Sequence, residues 1–522
     1  MYQVSYFLQL NATRKPDELA LVTFDRTMTW AELDEESRRL ARGLQARGIS
    51  KGDVVAYYLR NCWELVTVWW ATQMLGAIAQ PLNIRLLPHE IAHCLAVSGA
   101  KALFYQDIDP IREGMEEICA QSELELVVAC RSDGGIGRHI PFVEMMAEDP
   151  EDFVAEDIRG NDGSLLLFTS GTTGEPKGVL RSQRVMRDYA LMLALGNDRG
   201  SAAPQHETLV TLCPMFHTAG MSLLMKMAVL GGTLVLFDGF HARKMLDAID
   251  AYHATQMLLI PPNLYLRLPE ARTDAHDLSS LREAQCSGGK VSEKDIAAMH
   301  ELFPHARFRF SWGSTETCAP TSVIVSFEDM RAKPDLHKTI GKLNDLVELR
   351  VVGEDGADVA DGEIGEAYVR SSMVFSEYLL DPERTREAFD DDRWFKTGDL
   401  LTRDAEGFFY LVDRKKDMIK SGGENVYAFE VESIIAGYPG IIECAVVGIP
   451  DERFGEAVAA VVVTEDGREL DAEQFVAYCK RHMASYKKPR FIAYMDALPR
   501  NSVGKLQKRA LVEDPPAFVS LL

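Results

Sequence analysis

Residues 165–179 read LLLFTSGTTGEPKGV and concentrate groups that bind phosphate. Thr169, Ser170, Thr172 and Thr173 supply hydroxyls, and Lys177 adds a cation. Gly171, Gly174 and Gly178 free the backbone to bend so that its N–H groups face an anion. This is the composition of a polyphosphate clamp. It is not a Walker A loop, where Gly-Lys is followed by Ser or Thr, because Gly178 follows Lys177. Composition alone fits an ordinary polar surface loop equally well, so the order of residues and the motifs downstream have to decide. The four apolar residues 165–168 predict a short buried strand that ends where the hydroxyl-rich run begins.

Five further stretches carry chemistry. PMFHTAG at 214–220 follows a predicted strand, where α/β proteins place ligand residues, although a lone histidine such as His217 is more often structural. FSWGSTET at 310–317 follows another short strand; WFKTGD at 394–399, DRKKDMIKSGGEN at 413–425 and PRNSVGK at 499–505 come after it. A sixth pattern, His89-Glu90-Ile91-Ala92-His93, matches the zinc-protease HExxH. Zinc would need both histidines on one helix face and a third ligand elsewhere. Pro88 and Glu90 instead suit the first turn of an ordinary helix, so no zinc site is expected there.

The elements that must position these groups alternate. Thr29 to Glu32 form a capping box ahead of a helix with Leu33, Leu40 and Leu44 on one face, stopped by Gly48. Strand 54–58, helix 63–75 and strand 78–82 follow, then a helix after Pro88, strand 102–105, a helix to Ala120 and strand 124–129. Beyond the hydroxyl-rich loop come strand 209–212, a helix from about Gly220, strand 234–237, a helix to Tyr252 and strand 256–260. Strand and helix in turn imply right-handed crossovers and mainly parallel sheets covered on both faces, in an α/β fold with a second layer built like the first. Segments 428–436, 444–447, 457–463 and 472–483 suggest a small α+β domain at the end.

At 522 residues the chain is too long for one core. A net charge of -23 disfavours a nucleic-acid partner. The stretch from Arg414 onward is close to neutral, so nearly all of that charge precedes it. Nine cysteines without a CxxC pair fit reduced thiols rather than a disulfide framework or a zinc site. The N-terminus lacks a basic region before an apolar core, and the most apolar stretch, 65–79, is too short for a bilayer. A cytoplasmic enzyme with no membrane span is expected.

Taken in order, TSGTTGEPKGV and the five stretches resemble the motifs of the adenylate-forming superfamily, most closely its acyl-CoA synthetase branch, from about residue 5 to 512. The resemblance implies a large domain, residues 1–413, of doubly wound, mainly parallel sheets with a small β subdomain, and a mobile α+β domain, residues 414–522. It implies a small carboxylic acid, ATP with Mg²⁺, and CoA as co-substrate: acid and ATP give acyl-AMP and pyrophosphate, and CoA then releases AMP. Thr169, Ser170, Gly171, Thr172, Thr173, Gly174 and Lys177 would hold the phosphates. Gly288, Ser311, Trp312 and Gly313 would hold the adenine side, Asp399 and Arg414 the ribose, Thr315 the α-phosphate and Glu316 the Mg²⁺. His217 would line the acyl tunnel, Lys505 would be the catalytic lysine, Lys416 the hinge, and Gly422 and Gly423 the pantetheine channel. Two departures stand out: Trp312 replaces the commoner Tyr, and Lys290-Val291 replaces a small residue and Pro. Arg481, Lys487, Lys488 and Arg490 are candidates for the nucleotide end of CoA. A free-standing adenylation domain serving a carrier protein, and a non-catalytic nucleotide-binding protein, are the alternatives. A homodimer is a reasonable expectation.

Overall fold

The structure is a computed structural model that describes residues 3–109, 111–132, 139–170, 176–196, 206–260, 262–273, 275–286, 291, 293–500 and 506–521. The chain forms two compact units, one of residues 1–349 and 369–395, the other of residues 350–368 and 396–522.

The first unit holds two sheets. One places strands in the order Glu377–Tyr378, Pro176–Ser182, Gly163–Ser170, Ile78–Pro81, Val54–Tyr58, Ala100–Gln106, Leu126–Cys130 and Ile140–Pro141. Its pairs are parallel from Gly163–Ser170 through to Ile140–Pro141. The other includes Cys318–Val325, Arg307–Ser314, Glu283–Cys286, Gln256–Leu258, Thr208–Thr211, Thr233–Leu236 and Leu19–Val22 side by side, parallel from Arg307–Ser314 to Leu19–Val22. The expected alternation and mainly parallel pairing are present.

Helix Trp30–Ala46 starts on the reciprocal capping box, with Thr29 Oγ1 accepting from Glu32 N (3.2 Å) and Glu32 Oε2 accepting from Thr29 N (2.8 Å). Helix Trp63–Leu75 is apolar on every side and is buried from Glu64 to Leu75, as a helix without a polar face must be. Its Trp69 and Trp70 pack in one core with Leu33, Leu40 and Leu44 of the first helix and Met221 and Met225 of helix Thr218–Leu230.

At the N-terminal edge of the second sheet lies a buried ionic network. Arg309 grips Glu283 with two bonds, Nε to Oε1 (2.7 Å) and Nη2 to Oε2 (2.9 Å). Lys226 Nζ stands 4.0 Å from Glu283 Oε1 and donates to Gln256 Oε1 (2.6 Å). All three charged residues are less than a tenth exposed. Burial pushes the Glu283 carboxyl up, but Arg309 and Lys226 outweigh it and hold the group at about 2. Burial depresses Lys226 to about 8 against the pull of Glu283.

The second unit contains an antiparallel hairpin in which residues 399–403 pair with Phe409–Arg414. It also contains a sheet in the order Glu424–Val426, Ile419–Ser421, Gly455–Thr464, Phe491–Tyr494, Val519–Ser520, with Ile441–Asp451 paired along Gly455–Thr464. Helices Ala428–Ile435 and Ala472–His482 bury Val431, Ile435, Phe475 and Cys479 on one face of that sheet. Leu498 and Leu511 cover the other.

Candidate active site

The hydroxyl-rich loop sits on a hairpin. Strands Gly163–Ser170 and Pro176–Ser182 pair antiparallel, with Thr169 opposite Lys177 and Ser170 opposite Pro176. The first strand thus runs two residues past the predicted end at Phe168, because the returning strand satisfies its backbone groups. Gly171, Thr172, Thr173 and Gly174 lie outside the described residues. Strand Glu377–Tyr378 adds to the same hairpin, Tyr378 pairing with Val179. There Lys177 Nζ lies 5.1 Å from the Tyr378 ring centroid. The Tyr378 hydroxyl donates to Glu316 Oε1 (3.1 Å). Burial and then the Glu316 charge raise the Tyr378 hydroxyl well above its usual range, so it remains a donor. Two residues predicted from separate motifs therefore meet through a third that the sequence did not single out.

Glu316 and Thr315 lie in the turn between strands Arg307–Ser314 and Cys318–Val325. Ser314 Oγ accepts from Glu316 N (3.1 Å) and Thr317 N (3.2 Å), and Phe375 N donates to Glu316 O (2.7 Å). The two strands approach so closely at Gly313 that a Cβ there would stand 1.6 Å from Cys318 O, which accounts for glycine. Trp312 is buried at 8 % exposure and pairs with Thr321, and Ser311 pairs with Ser322. Gly288 lies outside the described residues.

The Thr315 carbonyl accepts from Arg181 Nε (3.0 Å) and Arg181 Nη2, and Nη2 also donates to Thr218 Oγ1 (3.2 Å). Thr218 opens helix Thr218–Leu230, two residues earlier than predicted, and His217 is its N-cap in extended conformation. The His217 ring lies 4.8 Å from that of Phe216. The phosphate-loop hairpin, the His217 segment and the Thr315–Glu316 turn are thereby joined within one unit.

In the second unit, Asp399 and Arg414 face each other across a hairpin and form an ion pair, Oδ1 to Nε 2.7 Å. Asp399 N donates to Thr397 Oγ1 (3.1 Å), and Gly398 N donates to Glu366 Oε1 (3.1 Å). Lys415 pairs with Glu366 (2.8 Å), while Lys416, beside it in the turn Lys415–Asp417, is exposed. Gly422 and Gly423 form the two-residue turn between Ile419–Ser421 and Glu424–Val426, with φ of 64° and 86°, left-handed values that favour glycine at both places. Lys505 lies outside the described residues; Arg500 and Leu506, on either side, form an antiparallel bridge. Of the basic residues proposed for CoA, Lys487 is paired with Glu430 (2.6 Å), Lys488 is buried and Arg490 stacks over Phe454 at 3.8 Å.

Residues 8–379 match the AMP-binding enzyme family, and residues 430–505 match the AMP-binding enzyme C-terminal domain. The chain belongs to the AMP-binding enzymes. Within them it falls in the acyl-CoA synthetase branch of the adenylate-forming superfamily. It is 34% identical over 99% of its length to the whole of the long-chain-fatty-acid–CoA ligase FadD13 of Mycobacterium tuberculosis. It is 33% identical to feruloyl-CoA synthase of Amycolatopsis, covering 95% of this chain and 96% of that one. Among solved structures, o-succinylbenzoate CoA synthetase of Bacillus subtilis with its acyl-adenylate intermediate superposes with a TM-score of 0.83, at 30% identity over 97% of both chains. This AMP-binding enzyme is an AMP-forming acid–thiol ligase that takes a carboxylic acid, ATP with Mg²⁺, and CoA.

Three cysteines of the AMP-binding enzyme adjoin its motif segments: Cys213 before Pro214, Cys286 at the end of strand Glu283–Cys286, and Cys318 after the Glu316 turn. All are free and buried, and burial pushes their thiols up, Cys213 to about 12. A cavity of about 610 Å³ lies elsewhere, lined by Arg26, Trp63, Glu64, Arg131 and Phe142 among others. Its own ion pairs, Arg131 with Glu64 (2.9 Å) and Arg26 with Glu36, occupy its charges. The HExxH stretch lies on helix Pro88–Ser98, where Glu90 Oε2 accepts from Leu87 N (2.8 Å). Among the described residues no helix is long and apolar enough to cross a membrane.

Proposed function

We propose that the Lys177–Tyr378–Glu316 chain and the Thr315 turn form the adenylation site of this ligase. The observation that carries this reading is the 3.1 Å bond from Tyr378 to Glu316 beside the ammonium of Lys177, which sets a cation and a carboxylate on one phenol next to the hydroxyl-rich loop.

Glu316 suits Mg²⁺. One of its carboxylate oxygens is fixed by Tyr378, the group is partly exposed, and a hard cation that keeps several waters needs only one or two carboxylates beside substrate phosphates. When bound, Mg²⁺ supplies charge neutralisation on the phosphates. Lys177 and the hydroxyls of residues 169–173 hold the β- and γ-phosphates, and Thr315 orients the α-phosphate. Asp399, with two oxygens for two neighbouring hydroxyls, takes the ribose, and Arg414 leaves its ion pair to assist. A carboxylate oxygen of the acid attacks the α-phosphorus, an acyl–O–P bond forms, the bond to the bridging oxygen breaks, and pyrophosphate leaves with that electron pair. Little covalent chemistry falls to the protein, so catalysis is in-line positioning and charge stabilisation, with Lys505 between the carboxylate and the α-phosphate.

The thiol of CoA then attacks the acyl carbon, the mixed-anhydride C–O bond breaks, AMP leaves, and the thiol proton passes to solvent. Residues 414–522 turn about Lys416 against residues 1–413 between the two steps. The side-chain-free turn at Gly422 and Gly423 borders the pantetheine path. The acyl group lies beside His217. Nine free cysteines support a reducing cytoplasm as the compartment.

The test is pyrophosphate release from Mg·ATP with octanoate, benzoate, crotonobetaine and succinate, with and without CoA. One of these acids should give hydroxylamine-trappable acyl-AMP without CoA and AMP release with it. If no CoA-dependent AMP release follows an acid that is adenylated, the assignment of the acceptor fails.

A further inference from the structure

Arg181 is a buried cation with no counter-ion among the described residues. It is completely inaccessible to solvent, near the end of the strand that begins beside Lys177. Among the described residues its Nε and Nη2 bond to neutral acceptors, the Thr315 carbonyl and the Thr218 hydroxyl, and its buried Nη1 has no partner. Among the described residues of the first unit, the other deeply buried cations, Lys226 and Arg309, stand against Glu283. Leaving a guanidinium unneutralised in the interior destabilises the fold relative to an apolar side chain of similar size. Stability therefore gives no reason for arginine at this place.

Its position gives one. The acceptors lie 37 and 134 residues away in sequence, one at the start of the helix behind His217 and one in the turn that carries Glu316. Lys177 and Arg181 are four residues apart on one strand, and so on the same face of it. The guanidinium fork is planar and rigid, which suits a joint that fixes two acceptors at once.

We propose that Arg181 is a positioning residue for adenylation. It locks the Thr315 turn and the His217 segment in register with the phosphate-loop strand, and its uncompensated charge stands behind the turn where the α-phosphate gains negative charge. This rests on the assignment of Thr315 to the α-phosphate given above. A misplacement of about 1 Å in such a site lowers rate by about 100-fold.

The experiment compares Arg181→Met, Arg181→Lys and Thr315→Ala in the full chain, using the acid of the four-member panel that the wild type adenylates fastest. ATP–pyrophosphate exchange reads the first half-reaction, and synthetic acyl-AMP with CoA reads the second. Arg181→Met should lower kcat for exchange about 100-fold, with KM for ATP and acid changed less than about threefold, while the second half-reaction stays within about twofold. Arg181→Lys, which keeps the charge without the fork, should recover part of the loss. The Tm of Arg181→Met should be unchanged or higher, because an unpaired buried charge has been removed. A lower Tm with equal losses in both half-reactions would make Arg181 a merely structural residue and overturn the proposal. So would exchange at the wild-type rate in Arg181→Met while Thr315→Ala is slow. If Thr315→Ala exchanges normally, the site assignment itself is wrong and the Arg181 proposal falls with it.

Discussion

Replacing Glu283 by Gln removes the carboxylate that Arg309 and Lys226 share while keeping the shape of the side chain. The carboxyl is held at about 2 instead of 4.5, which at about 1.4 kcal/mol per tenfold change in proton affinity corresponds to about 3 kcal/mol. Removing one partner of a buried pair costs a similar amount, about 3–5 kcal/mol, because the remaining charges stay buried. All six tryptophans belong to the first unit, so urea unfolding followed by tryptophan fluorescence reports on the unit that contains the network. At pH 7, Glu283→Gln should lower its unfolding free energy by about 3 kcal/mol. Because the folded-state value of Glu283 is depressed, its stabilisation is complete above about 4.5 and is lost as pH falls toward about 2. The gap between wild type and variant should therefore narrow below about pH 4.5. Lys226, whose folded-state value is also depressed, gives the same sign in a higher window: the unfolded chain binds more protons above about pH 8, so stability rises from there toward about 10.5. Without Glu283 that rise should start at lower pH. Glu283 opens its strand and pairs with Arg307 at the start of the parallel strand Arg307–Ser314, at the opposite end from the Thr315 turn, so kcat of the folded enzyme should be unchanged. A loss below about 1 kcal/mol, or a gap that widens in acid, would refute the account of this network.

Three further outcomes can be checked. Tyr378→Phe removes a hydrogen bond to a charged group, worth about 1.5–3 kcal/mol, and should slow pyrophosphate exchange by about tenfold or more with a higher Mg²⁺ requirement; an unchanged Mg²⁺ titration would remove Tyr378 from the site. Lys505→Ala should lower exchange by about 100-fold or more while leaving thioester formation from synthetic acyl-AMP intact, and equal losses in the two half-reactions would contradict its role. Gly313→Ala forces a methyl group to within 1.6 Å of Cys318 O, and should give inactive protein with a lowered Tm or none that folds; wild-type exchange would show that the turn is laxer than the structure indicates.

The alternation of strand and helix was readable where an element carries its own periodicity, as helix Trp30–Ala46 does with Leu33, Leu40 and Leu44 on one face, and elsewhere from short apolar runs such as Val54–Tyr58 bounded by turn residues. The motifs were readable because each is contiguous. What escaped is what needs a partner from elsewhere in the chain. Strand Pro176–Ser182 begins Pro-Lys-Gly, which locally signals a turn, and is a strand only because Gly163–Ser170 lies beside it. Tyr378 lies in a two-residue strand with no pattern of its own. Arg181 belongs to a residue type that is normally exposed, and only its place directly after the apolar pair Val179-Leu180 hinted otherwise. Lys226 had a clearer signal, a single lysine in the otherwise apolar run LLMKMAVL, where an all-round apolar helix must be buried.

The thiols beside the motifs bear on the enzyme's own safety. A mixed anhydride acylates any thiolate it meets, and the thiolate rather than the thiol is the reactive form. Cys213, Cys286 and Cys318 are kept protonated and out of solvent. The protein can thus store a compound that attacks sulfur without labelling itself, and the incoming co-substrate brings the competent nucleophile.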